Sequence, residues 1–268
     1  MEKSEDKREV NEKKGQVTIF ILIGIIIVAV GILIYLFYPR ITSIGFDSKN
    51  PSAYMQSCLE KEIEKSADLL SPKGGSINPE HYFMYEGDTV EYLCYTEEYY
   101  KTCVMQQPLL KNHVEEEIKK NIQSNAEDCF DALKQTYEGK GYNVNLKKGE
   151  TKVELLPKRI ATSFTHTLSV AKDSTETYGG EDEKQIRVVV NNNLYELTSI
   201  ASSILNMEAR YGDAETTIYM NYYRDLKVEK KLQTDGTTIY ILTDRNNGNK
   251  FQFASRSVAW PPGYGLNE

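Results

Sequence analysis

The sequence predicts an α+β protein: one N-terminal transmembrane helix, then an extracytoplasmic domain of antiparallel sheet packed with helices. Three observations predict it. Residues 17–38 read VTIFILIGIIIVAVGILIYLFY without a charged residue. Two later segments repeat apolar residues at three- and four-residue intervals, the mark of a helix with one buried face. Beyond residue 140 the repeat shortens to two, and Asp-Gly and Asn-Gly turn signals separate the runs.

A helix rises ~1.5 Å per residue, so residues 17–38 match a bilayer core of ~30 Å, and residues 16–39 are expected to be the transmembrane helix. Tyr35 and Tyr38 sit at its far end, where amphipathic rings suit the headgroup boundary, and Pro39 ends it. A cleaved secretory signal would carry a shorter apolar core of roughly 7–15 residues. Lys3, Lys7, Arg8, Lys13 and Lys14 precede the run, whereas only Arg40 and Lys49 follow it closely. Basic flanks stay cytoplasmic, so residues 1–15 read as a cytoplasmic basic tail or signal peptide and residues 40–268 as extracytoplasmic, at the cell membrane. The lipid bilayer is thus the first expected partner. A formal net charge of -7 argues against nucleic acid, whose phosphates need a basic surface.

Asn50 and Pro51 read as N-cap and first residue of the next helix. Met55, Leu59, Ile63, Ala67 and Leu70 line one face with Cys58 beside them, and Lys73-Gly74-Gly75 stops it. A second helix over about Pro108 to Tyr137 repeats Leu110, Val114, Ile118, Ile122, Ala126, Cys129, Leu133 and Tyr137. Outside the cytoplasm an even number of cysteines points to disulfides. With one cysteine in each buried stripe, the two helices can meet face to face, which favours a Cys58–Cys129 bond. Cys94 and Cys103 then close the short loop YTEEYYKT. Metal-bound thiols, the rival reading, would want a paired C-x-x-C element that the chain lacks. Residues 40–139 are therefore expected to be a helical, disulfide-linked region, and residues 140–268 an antiparallel, β-rich α+β region.

In that second region, residues 142–147 and 152–156 read as a hairpin around Lys148-Gly149-Glu150. Ile160, Phe164, Leu168 and Val170 fall on one face of a following strand, the segment from Asp173 to Lys184 reads as a polar loop, and Ile186, Val188 and Val190 resume the sheet. A helix from about Leu194 to Tyr211 carries Leu197, Ile200, Ala201, Ile204, Leu205 and Glu208 in its middle. Strands are expected over 217–230, 237–244 and 250–258, joined by turns at Asp235-Gly236 and Asn246-Asn247-Gly248. Trp260-Pro261-Pro262 then leaves the sheet as an extended tail. The nineteen tyrosines suit strand and interface packing, with a ligand platform as the alternative.

Chemical motifs are absent from the sequence. His81, His113 and His166 lie in no metal spacing, and no G-x-S-x-G elbow, P-loop or dinucleotide fingerprint occurs, so no catalytic, cofactor-binding or metal residue is assigned. His113, followed by Glu115, Glu116 and Glu117, reads as the solvated side of a helix. Alternation places His166 among core positions. Asp244-Arg245-Asn246-Asn247-Gly248 lacks the later bidentate glutamate of a calcium loop and reads as a turn.

The N-terminal pattern, a charged tail ending in Lys13-Lys14-Gly15, then Gln16, then the apolar run, resembles the class III signal peptide of archaeal type IV prepilins. The resemblance covers about 25 residues and implies cutting by a prepilin peptidase between Gly15 and Gln16. It also implies a retained helix that anchors the subunit or packs with like subunits in a filament. Cleavage would remove Lys13 and Lys14, which are costly to bury in a helical bundle. Phe20 stands where many pilins carry a glutamate, and Pro39 interrupts the continuation of the first helix. The remainder resembles archaeal membrane-anchored surface proteins with the same N-terminal pattern. The expected function is thus a single-pass, membrane-anchored surface protein acting as a binding or structural module without catalysis. A pilin-like filament or minor-pilin subunit is the alternative, and an envelope enzyme the third reading.

Overall fold

The computed structural model of the protein describes residues 23–28, 50–172, 174–180 and 185–258. The expected basic tail with Gly15 and Gln16, and the tail from Trp260, lie outside these residues. So does the expected transmembrane helix apart from residues 23–28, which are helical and exposed. Among the described residues no helix is long and apolar enough to cross a membrane. The chain divides into two compact units, Met1–Phe46 and Asp47–Glu268. The second unit is α+β with mostly antiparallel sheets.

Helix α1 (Pro51–Leu70) starts where Asn50 Oδ1 accepts a hydrogen bond from the Ala53 amide at 3.0 Å, with proline in the first turn, where no amide proton is needed. It ends in a 3₁₀ turn, Ser71–Lys73, followed by Gly74 and Gly75 at φ 82° and 99°. Helix α2 (Leu110–Gly139) buries Val114, Ile118, Ile122, Ala126, Phe130 and Leu133. The buried stripes of α1 and α2 face each other, joined by a Cys58–Cys129 bond with Cα atoms 6.1 Å apart.

Between these helices the chain forms β1 (Tyr82–Tyr85), β2 (Asp88–Tyr95) and β3 (Val104–Met105). Next come β4 (Asn143–Lys147), β5 (Thr151–Leu156), β6 (Arg159–Phe164), β7 (Thr167–Ala171), β8 (Thr175–Gly179) and β9 (Ile186–Asn191). Helices α3 (Leu194–Tyr211) and α4 (Thr217–Tyr222) precede β10 (Leu226–Leu232), β11 (Thr237–Asp244) and β12 (Lys250–Arg256). One sheet runs β1-β2-β12-β11-β10, with β3 on β2, and β2 lies parallel to β12.

That sheet takes strands from both sides of the boundary expected near residue 140. Residues 82–105 hold three strands, and β2 pairs directly with the C-terminal β12, so helical and β-rich regions share one sheet. The β1–β2 hairpin turns at Glu86 and Gly87, both at positive φ, and Glu-Gly is not among the favoured hairpin dipeptides.

A correction concerns residues 142–156. The hairpin turn is not Lys148-Gly149-Glu150 but Pro157-Lys158, because Leu156 pairs with Arg159. Residues 143–147 pair with β7 and residues 151–156 with β6, so β4 and β5 are successive parts of one long strand. With β8 on β7 and β9 on β6, the two three-stranded sheets form one antiparallel ribbon interrupted at 148–150 and 165–166. Inward alternation survives the break: Phe164, His166, Leu168 and Val170 are all buried. The expected polar loop after Asp173 contains β8.

A second correction replaces the first half of the 217–230 strand with α4. Tyr219 is buried there, its hydroxyl 2.7 Å from Ser203 Oγ on α3, and that tertiary contact overrides the β propensity of Thr, Ile and Tyr.

Side chains from the helices also close ribbon edges. Gln56 of α1 donates to the Val189 carbonyl at 2.8 Å and accepts from the Val189 amide at 2.9 Å, occupying the outer edge of β9 as another strand would. Glu115 of α2 accepts from the Leu155 amide at 2.7 Å on β5. In the larger sheet, Tyr240, Leu242, Phe251 and Phe253 lie on one face, while Val90, Tyr92, Ile239, Ile241 and Ala254 form a second small core on the other, with Phe83, Tyr85 and Tyr95 packed on it.

Candidate functional site

The loop between β2 and β3 is an exposed segment tied to the larger sheet at several points. Cys94 and Cys103, both buried, are bonded with Cα atoms 5.4 Å apart. The Thr96 amide donates to the Arg256 carbonyl at 3.0 Å, the Arg256 guanidinium donates back to the Thr96 carbonyl, and Lys101 bridges to Val258. Held by these ties, the loop turns Tyr99 and Tyr100 outward at 59% and 66% exposure. Tyr100 adopts φ 60°, a left-handed backbone that costs an L-residue ~1–2 kcal/mol.

Other rings continue the surface. The Arg256 guanidinium lies 6.0 Å from the Tyr99 ring and 5.9 Å from that of Tyr95. Tyr95 in turn meets His81 edge-on at 4.3 Å and Tyr92 at 4.8 Å. Glu98 pairs with Lys101 at 2.5 Å, so the rim carries both signs of charge. Rigid, exposed tyrosines beside an arginine offer large contact area at small entropy cost, the composition that dominates binding hot spots.

Beneath the loop lies a buried carboxyl. Glu208 of α3 is 2% exposed; Tyr240 of β11 donates to one of its oxygens and Ser255 of β12 to the other at 3.0 Å. Ser255 Oγ is also 3.7 Å from Cys103 Sγ. Ser257 Oγ donates to the Glu208 carbonyl at 3.1 Å and accepts from the Cys103 amide at 3.1 Å. Burial pushes the carboxyl up to about 7; the two hydroxyl donors and Lys230 oppose this and Asp213 adds to it. Burial and the neighbouring Glu208 raise the Tyr240 hydroxyl as well.

The sequence brackets the loop through its cysteines but assigns Glu208 no role. The available signal was a carboxylate inside the apolar stripe of a helix.

The remaining candidates separate. His113 is not on a solvated face: it is half-buried, with Nε2 2.7 Å from Ser76 Oγ, and burial lowers its pKa against the pull of Glu117. A serine beside a neutral imidazole has the chemistry of a nucleophile and its base. Ser76 is only 6% exposed, however, and Glu117 accepts from the next amide, Ile77, at 3.2 Å, so the cluster pins the segment after α1 to α2. Nearby Glu91 is raised by burial. His166 is 1% exposed and stacks on Phe130 with centroids 4.2 Å apart, its pKa lowered by burial. Among the described residues no three metal-capable side chains gather. Asp244 caps its turn, accepting from the Asn246 amide at 2.8 Å.

Comparison of the chain with protein-family models, curated proteins and solved structures finds no match in any of the three.

Proposed function

We propose that this chain is a single-pass surface protein, with its N-terminus cytoplasmic and residues 40–268 extracytoplasmic, that binds a partner without catalysis through the loop closed by Cys94 and Cys103. The observation that carries the binding role is the display of Tyr99 and Tyr100 on a crosslinked loop whose backbone is tied to β12. The uncharged run over 17–38 and its basic flank support the anchored topology. Two disulfides suit an oxidising compartment.

A photocrosslinking residue placed at Tyr99 of the full chain in native membranes tests the reading. Adducts at Tyr99, absent from the same residue at the exposed ribbon position Lys152, are expected. Equal yields at both positions overturn the binding role.

The Gly15-Gln16 pattern supports a second reading, processing by a prepilin peptidase and assembly with like subunits into a filament. A mature N-terminus at Gln16 and recovery in sheared surface fibres are its expectations. An intact Met1 removes the processing, and exclusive recovery in membranes favours the anchored module.

A further inference from the structure

The Glu208 carboxyl links three elements through hydrogen bonds yet touches no cation. Tyr240 faces it from β11 and Ser255 from β12, while the nearest charges, Lys230 of β10 and Asp213 after α3, are paired with each other. Ser255 has one hydroxyl proton and two acceptors in reach, Glu208 Oε2 and Cys103 Sγ. A neutral carboxyl donates its own proton to Ser255 Oγ, which leaves the Ser255 proton free to turn to the sulfur. An ionised carboxyl draws the Ser255 proton to itself and leaves the sulfur without a donor. The Ser257 hydroxyl, between the Glu208 carbonyl and the Cys103 amide, ties the same helix turn to the same cysteine.

We propose that Glu208 is a proton-controlled anchor for the tyrosine loop: neutral, it holds α3, β12 and the Cys94–Cys103 closure together; ionised, it lets them part and passes its proton to solvent. As regulation of a binding loop, the inference rests on the function proposed above. The energetic direction agrees, since a carboxyl that ionises more readily when solvated favours the open state as pH rises.

Hydrogen exchange of the full-length chain in detergent, corrected for intrinsic rates, tests it between pH 5 and 9. Protection of the amides over 94–103 and at the C-terminal end of α3 should fall by about tenfold per pH unit up to pH ~7 and then level. Amides of α1 should not follow. Glu208→Gln should abolish the slope. A flat wild-type profile, or an unchanged slope in Glu208→Gln, overturns the proposal. Should that variant not fold, Ser255→Ala removes a donor to the charged form and must move the levelling point to higher pH; an unmoved point overturns the anchor. No ligand enters this measurement, so failure of crosslinking at Tyr99 would remove the binding role and leave the exchange result standing.

Discussion

The two crosslinks close loops of very different length, which makes their contributions separable. Cys58 and Cys129 are 71 residues apart in sequence, Cys94 and Cys103 only 9. Chain entropy assigns the long closure about 4.4 kcal/mol and the short one about 2.6 kcal/mol, because a crosslink removes more freedom from a longer unfolded loop. Replacing cysteines confuses this with packing, since Cys94 is fully buried while Cys58 is half-exposed. The cleaner perturbation keeps one bridge at a time. Cys94→Ala with Cys103→Ala leaves the long crosslink, and Cys58→Ala with Cys129→Ala leaves the short one. Each protein is unfolded in urea, oxidised and then reduced, with far-ultraviolet circular dichroism as the probe. The difference between the two states isolates the crosslink, provided both transitions are two-state. The long bridge should contribute more by about 1.8 kcal/mol. A short bridge that contributes as much as the long one would refute the entropic account and point to structure retained in the unfolded chain.

Four other substitutions follow from local geometry. Gly179 has φ 89°, and a Cβ there would lie 1.8 Å from the His166 carbonyl oxygen, so Gly179→Ala should cost about 3 kcal/mol or more. Gly248→Ala, also at positive φ but with nothing within 4 Å, should cost about 1 kcal/mol, and thermal melting of the pair checks the order. Gln56→Ala removes two hydrogen bonds to Val189, worth about 1 kcal/mol each, and bares the edge of β9; lower melting together with larger species in light scattering is expected. His166→Phe should remove the part of the acid sensitivity that begins as pH falls through about 6.5, measured as unfolding free energy at pH 5 against pH 7.

Where local pattern and tertiary structure agree, the chain can be read directly. Helix α1 follows from a cap, a stripe and a glycine stop, α3 from its apolar stripe, and β11 and β12 from Asp235-Gly236 and Asn247-Gly248. The misread segments share a physical cause: their conformations are set by contacts distant in sequence. Lys148-Gly149-Glu150 looks like a turn, yet Gly149 lies against the backbone of Thr165 and His166, where the ribbon passes its break. The segment 217–222 has strand residues but is held as a helix by Ser203 on α3. The candidate site divides in the same way. Its loop is legible because two cysteines bracket it, whereas Glu208 becomes visible only when Tyr240 and Ser255, 32 and 47 residues further on, close around it.

Glu208 and His166 also pull the stability of this unit in opposite directions with pH. The folded Glu208 carboxyl titrates near 7, above its ordinary value of 4.5, so its contribution is fully present below 4.5 and is lost as pH rises through about 7. At ~1.4 kcal/mol per pH unit, that interval amounts to about 3 kcal/mol. His166 has the reverse sense: its folded pKa is depressed, so its contribution is present above 6.5 and is lost as pH falls. Just below 6.5 the two slopes oppose each other. A shallow pH dependence of global unfolding would therefore be compatible with two groups shifted in opposite directions. They occupy different parts of the fold, His166 stacked against α2 and Glu208 between α3 and the larger sheet. Local exchange separates them where a global transition sums them, so acid should loosen the ribbon around 165–166 first and alkali the closure of the tyrosine loop.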